Sequence, residues 1–284
     1  MNQKNYIIIA IIIAVIALIL GGWALIKSPE MNFVSQDTFD KVLKTNTITI
    51  CYVTWPPSVI KDPNTGVLSG FLIEAIQGIT KDTGLKLNYV ESSWGGFAAD
   101  INAGKCDAGV AGFYPLINRS TAVSFTQPFY YAGNNGVVKA GDNRFKTISD
   151  LNRSDIKIAV IQGEFGHIYA QKYLPKAKLV VLPETSDNTA PLLAVSAGQA
   201  DVGLIMADTV ADYAKKHSEV QALFSAPYST SPIAWAVRKS DQQLLNFLDN
   251  SINYLESTGE LDALAKKYNS AWYSVKKDYQ LLSQ

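Results

Sequence analysis

Residues 104–131, GKCDAGVAGFYPLINRSTAVSFTQPFYY, decide the reading of this chain. A Gly-Lys-x-Asp-Ala turn leads into a short run of small and apolar residues, Asp107 to Ala111, with the length of a buried strand. A loop with a single arginine, Arg119, follows, and then a short strand from Ala122 to Thr126 that ends in Gln-Pro-Phe-Tyr. Arg119 stands seven residues after Gly112, on the loop leaving the strand's carboxyl end. That edge of an open α/β sheet is where small ligands bind. A guanidinium there is a fixed bidentate clamp for a carboxylate.

Outward from this stretch the pattern alternates strand and helix. Upstream, Thr47 to Val53 reads as a strand, and Gly70 to Thr83 as a helix with Phe71, Ile73, Ile76 and Ile79 at helical spacing. Leu85 to Val90 is a strand and Gly96 to Ala103 a helix, while Thr38 to Lys44 is a short opening helix. Downstream a second round begins with the strand Ile156 to Ile161 and a helix from Glu164 to Tyr173. It continues with a strand Ala177–Leu182, a helix Asn188–Ala197, a strand Asp201–Ile205 and a helix Thr209–Lys216. GQADVGLIM (198–206) echoes GKCDAGVAG (104–112), which suggests two similar units. A strand from Ile233 to Lys239 and two amphipathic helices, Gln242–Thr258 and Glu260–Tyr268, close the chain. Such alternation predicts an α/β fold with parallel strands covered by helices.

The 284 residues carry 25 basic and 25 acidic side chains, so no net charge draws the chain to nucleic acid. Residues Tyr6 to Ile26 hold no charge and at a rise of about 1.5 Å per residue would cover roughly 30 Å, the hydrocarbon thickness of a bilayer. No Ala-x-Ala cleavage site follows the apolar run, so an uncleaved membrane anchor is the expectation, with a cleaved signal as the alternative. Either places the remainder outside the cytoplasm. Residues 1–27 are thus read as signal anchor or transmembrane helix, and 28–37 as a tether. The two cysteines, Cys51 late in one strand and Cys106 just before another, would sit near opposite ends of parallel neighbours. The expectation is two unpaired, buried thiols.

Further landmarks stand in a fixed order: TWPP (54–57), GVLSGFLIEAI (66–76), ESSWGGFAADINAGKCDAGVAG (91–112) and NRSTAVSFTQPFYY (118–131). DLNRSDIKIAVIQG (150–163), AGQADVG (197–203) and YLESTGELDALAKKYNSAW (254–272) continue it. Together they resemble the amino-acid-type periplasmic solute-binding proteins of ABC importers, over Phe39 to Tyr273. The resemblance implies a type II periplasmic-binding-protein fold: two Rossmann-like lobes, 38–133 with 232–284 and 134–231. Two extended crossings, near Tyr131 to Val138 and Tyr228 to Ala236, would form their hinge. It also implies a monomer that captures a small ligand, an amino acid or related compound, and presents it to an ABC permease. No cofactor, metal or catalytic residue is expected, and nucleic acid is not a partner.

In that resemblance Arg119 takes the place of the family's carboxylate-binding arginine. Trp55 stands where an aromatic lies over the ligand, and Trp94 where the cleft is lined. Tyr52, Phe113 and Tyr114 are weaker candidates for the same wall, Tyr114 replacing a position where the family often has Ser or Thr. After VIQG the family usually shows small hydroxylated residues whose amides cradle the ligand carboxylate, whereas here Glu164 and Phe165 follow. Glu164 is open to three roles: a solvent-facing residue that favours the helix start, a partner for a ligand ammonium, or a catalytic acid. Asp208 is either the ammonium ligand or a helix N-cap. A cyclohexadienyl-dehydratase-like enzyme acting on prephenate or arogenate, with Glu164 as its acid, is one rival reading. A sensor that signals to a membrane receptor is the other.

Overall fold

The computed structural model describes residues 37–268 and, as backbone, the strand at 273–275. The apolar N-terminal run and its expected anchoring role lie outside the described residues. Among those described, no helix is long and apolar enough to cross a membrane.

The chain enters helix α1 (Thr38–Thr45), whose first turn is capped by the Asp37 carboxylate accepting from Phe39 N at 2.9 Å. Strand β1 (Thr47–Tyr52), a small hairpin of β2 (Ile60–Lys61) and β3 (Leu68–Ser69), helix α2 (Phe71–Thr83), β4 (Lys86–Glu91), α3 (Phe97–Asn102) and β5 (Ala108–Phe113) follow. β6 (Val123–Phe125) and the ten-residue β7 (Tyr130–Lys139) come next. Then the motif repeats: β8 (Lys157–Ile161), α4 (Phe165–Tyr173), β9 (Lys178–Leu182), α5 (Ala190–Ser196), β10 (Val202–Met206) and α6 (Ala207–Lys216). β11 (Val220–Ala222), the ten-residue β12 (Ser229–Arg238), α7 (Gln242–Ser257), α8 (Glu260–Lys267) and β13 (Tyr273–Val275) complete it.

The strand order is β4-β1-β5-β12-β7-β10-β8-β9. Two parallel arrays, β4-β1-β5 and β10-β8-β9, share one plan, in which helices carry each strand to its neighbour. The chain from 104 and its echo from 198 occupy equivalent places, as β5 and β10. Their aspartates do the same work. Asp107 N donates to Thr49 O and its carboxylate accepts from Thr49 N, while Asp201 N donates to Lys157 O and its carboxylate accepts from Lys157 N. Each locks the start of its strand to the adjacent one. β5 is buried at every residue, as is β10, because helices cover both faces of such a strand.

Between the arrays run β7 and β12, paired antiparallel from Ser229↔Asn134 to Ile233↔Tyr130. Beyond that pairing β7 runs on along β10, and β12 along β5 and β6. The two extended crossings predicted from sequence are these strands.

The cysteines correct an expectation. Cys51 and Cys106 form a disulfide, with their Cα atoms 5.5 Å apart. The strand does not begin until Ala108, and the chain bends at Lys105 and Asp107 instead of extending backwards along the sheet. Cys106 is thereby carried to Cys51, not to the far end of β1.

Candidate functional site

Arg119 is where the two arrays meet. The loop after β5 makes a single helical turn at Arg119–Thr121, started by the Asn118 side chain accepting from Arg119 N at 2.9 Å. The guanidinium reaches inward, 5.2 Å over the Phe97 ring. Its Nη2 donates to Trp94 O at 2.9 Å, before α3, and to Gly163 O at 2.5 Å, after β8. One nitrogen therefore ties the first array to the second. Its Nη1 is buried and meets no partner in the protein. The fork expected for bidentate grip is half taken by carbonyls. Burial lowers the arginine's pKa, with Tyr114 and Glu164 opposing, yet a guanidinium stays charged across the physiological range. Gly163 is required here. Its φ is +79° and a Cβ would fall 3.0 Å from Gly95 Cα and N, so only glycine lets the two backbones approach this closely.

Glu164 follows at once as the N-cap of α4, its Oε2 accepting from Gly166 N at 2.5 Å. The residue is 1% exposed, and Oε1 has no partner. Burial pushes its pKa up to about 7, against the opposing pull of the Gly166 and Phe165 amides and Arg119. Tyr114 is buried beside it, its hydroxyl donating to Asn134 Oδ1 at 3.4 Å, and Asn134 Nδ2 donates to Ser231 Oγ at 2.8 Å. The Tyr228 hydroxyl is buried without a partner. Burial first, then the Glu164 charge, raise both tyrosines well above the ordinary phenol range. Phe165 closes this side, its ring 5.0 Å from Tyr114 and 5.7 Å from Tyr169.

Aromatic rings form the opposite wall. Trp55 stacks on Tyr130 at 6.1 Å and meets Trp94 edge-on at 6.3 Å. Its ring lies over Gly112, where there is no room for a Cβ. Trp94 Nε1 donates to Asn188 Oδ1 at 3.4 Å, and Asn188 Nδ2 donates to Thr54 O at 2.9 Å. A residue from before α5 thus reaches both the tryptophan and the loop after β1.

Of the residues singled out from sequence, Arg119, Trp94, Tyr114, Glu164 and Phe165 come together, with Trp55 beside them. Phe113 lies one layer down, stacked on Phe97 at 3.9 Å, as core. Tyr52 is elsewhere: the last pair of the β1–β4 ladder sets it opposite Glu91, against the Tyr89 ring. Asp208 lies half-buried in the first turn of α6, directly after the buried Met206 and Ala207. Glu164 does not face solvent, which corrects that part of the first of its three roles, although it does favour the helix start as the N-cap of α4. Asn134, Tyr228 and Asn188 went unrecognised because each is a lone polar residue in a segment read as a crossing or a helix start. Among the described residues no three His, Cys, Asp or Glu side chains gather as a metal site.

Residues 48–271 match the family described as bacterial extracellular solute-binding proteins, family 3. The chain is 22% identical over 242 residues to the L-cystine-binding protein of Escherichia coli, covering 84% of this chain and 89% of that protein. It is 26% identical over 225 residues to the L-arginine-binding protein of Pseudomonas aeruginosa, covering 76% and 85%. Among solved structures, an ancestral amino acid-binding protein described as a precursor of cyclohexadienyl dehydratase superposes with a TM-score of 0.73. The two are 29% identical, over 82% of this chain and 99% of that one.

Proposed function

Because this chain belongs to the bacterial extracellular solute-binding proteins of family 3, we propose that it is an extracytoplasmic receptor for an amino acid or a close derivative. It hands its ligand to an ABC permease in the membrane that its N-terminal segment tethers it to. The observation that carries the ligand class is the Arg119 guanidinium, buried between the arrays with Nη1 unpartnered and aromatic rings about it. A buried cationic N–H without an acceptor costs free energy that a ligand carboxylate recovers. The lobes are residues 38–133 with 232–284 and residues 134–231. β7 and β12 bend as a hinge, and closure brings Gly163 and Asn188 onto Arg119, Trp94 and Thr54. Trp55, Trp94, Tyr114 and Phe165 hold the rest of the ligand by burial and by their π faces.

The test is a thermal-shift screen of the detergent-solubilised full chain against the common L-amino acids, amines and carboxylates. A ligand at about 100 times its dissociation constant adds roughly 2.7 kcal/mol of stability. Arg119→Ala should abolish the response, since breaking a buried charge pair on one side costs about 3–5 kcal/mol. A hit confined to amines that lack a carboxylate would overturn the role of Arg119.

One observation favours a second reading. A buried carboxyl whose pKa lies near 7, as that of Glu164 does, suits a general acid. Incubation with prephenate or arogenate separates the two: the receptor yields no product, and turnover lost in Glu164→Gln would establish the enzyme.

A further inference from the structure

The two carboxyl oxygens of Glu164 are used differently. Oε2 accepts from Gly166 N at 2.5 Å, so it caps α4 as a lone-pair oxygen and carries no proton there. Oε1 is buried and has no partner in the protein. Arg119 Nη1 is likewise buried without one. The guanidinium lies near enough to pull on the carboxyl, yet the two groups do not pair. An ionised carboxylate buried beside a guanidinium would be expected to take a charge-assisted bond from it. A neutral carboxylic acid makes no such demand, and burial to 1% exposure favours that form.

With Oε2 committed to the amide, the proton of the neutral acid sits on Oε1 and turns it into a donor. A buried acid kept neutral in this way can give a hydrogen bond at neutral pH. Arg119 Nη1 and Glu164 Oε1 then present two donors, one cationic and one neutral, from opposite arrays. A carboxylate has an oxygen for each, and its single charge balances the guanidinium. Were Glu164 ionised, the ligand carboxylate would meet a like charge in a buried site. The Gly166 amide at the start of α4 is already spent on Oε2, so the acid hydroxyl takes its place as a donor from that side.

We propose that Glu164 acts as a neutral acid in ligand recognition: its Oε1 hydroxyl donates to the ligand carboxylate alongside Arg119, and each ligand bound holds one proton in the site. This rests on the amino-acid reading above and makes capture by this protein proton-linked. Before a ligand binds, the Glu164 pKa of about 7 makes the acid form dominant below that pH. A bound carboxylate raises the value further, so affinity is full below about 7 and falls as pH rises above it. Arg119, from the loop after β5, is the charged side chain acting on Glu164. Tyr114 at the end of β5 and Tyr228 before β12 keep their protons throughout, burial raising both well above the ordinary phenol range. β10, packed against α4, brings only the apolar Val202–Met206. On α4 itself, burial lowers the pKa of His167, whose Nδ1 accepts from Gly163 N at 3.2 Å, so it is neutral above about 6.5.

The experiment is calorimetric titration of the full chain with L-glutamine, L-arginine and L-cystine from pH 5.5 to 8.5, in buffers of low and high ionisation enthalpy. For the amino acid that binds, wild-type affinity should fall by about 30-fold from pH 6 to 8.5, as one proton linked to a pKa near 7 requires. At pH 8 binding should take up close to one proton per ligand, read from the dependence of the heat on the buffer. Glu164→Gln keeps an oxygen for Gly166 N and puts a permanent amide donor where the hydroxyl stood. It should bind within about threefold of the wild type at pH 6, hold that affinity to pH 8.5 and take up no proton. A wild-type affinity that is flat or rises between pH 6 and 8.5, a comparison that needs no variant, would overturn the assignment. So would a Glu164→Gln protein that keeps the wild-type pH profile. In both cases the binding itself leaves the amino-acid reading standing. If none of the three binds the wild type, both readings fall.

Discussion

Removing the disulfide should unfold this protein at a markedly lower temperature. Cys51 and Cys106 are 55 residues apart in sequence and both are buried, with the segment between them carrying α2, β4 and α3. In the chain-entropy treatment, a cross-link over a loop of that length takes away about 14 cal/mol/K from the unfolded ensemble, or about 4 kcal/mol at 25 °C. For a protein of this size each kcal/mol moves the melting temperature by about 2–4 °C, so the double variant Cys51→Ala/Cys106→Ala should melt roughly 8–16 °C lower. The assay is thermal unfolding followed by circular dichroism, with and without reductant. Reductant should bring the wild type to the level of the double variant and leave the double variant unmoved. A loss below about 1 kcal/mol would refute the reasoning. So would a reductant effect that persists without the cysteines.

Other outcomes follow from the site. Glu164 has its folded-state pKa raised to about 7, above the unfolded value near 4.5, so the empty folded protein holds a proton there that the unfolded chain has lost. Stability should therefore decline as pH rises from about 4.5 to 7, by up to about 3 kcal/mol. In Glu164→Gln this part of the slope should vanish, as denaturant titrations at several pH values would show; an unchanged slope would mean the group titrates normally. Asn188→Ala removes the hydrogen bonds to Trp94 and Thr54 and should weaken ligand affinity by about 5–30-fold, from 1–2 kcal/mol. The ligand-free melting temperature should change little, and the opposite pattern would make Asn188 a plain packing residue. Gly163→Ala puts a side chain at φ +79° against Gly95 and should slow or prevent closure, read as a loss of affinity with an intact circular dichroism spectrum.

Much of this protein was legible in its chain because the signals were local. Strand and helix periodicities fix which segments extend and which coil. The Gly-x-x-Asp echo marks two strands whose aspartates lock their neighbours, and Arg119 could be placed at a sheet's edge by counting from Gly112. What the sequence could not decide were the relations between distant segments. The direction of Glu164 is one: its carboxyl is buried because α4 starts at Arg119 and Tyr114, contributed by residues some fifty positions earlier. Tyr228, Asn134 and Asn188 are others, ordinary polar residues until β7 carries Asn134 to Tyr114, the chain entering β12 sets Tyr228 near Glu164, and Asn188 before α5 meets Trp94. The disulfide is a third, since a bend of two residues before β5 moves a thiol by more than strand counting allows. Periodicity sets which face a residue occupies along its own element. Only packing between elements decides what that face meets, and burial then sets the charge and the pKa on which binding depends.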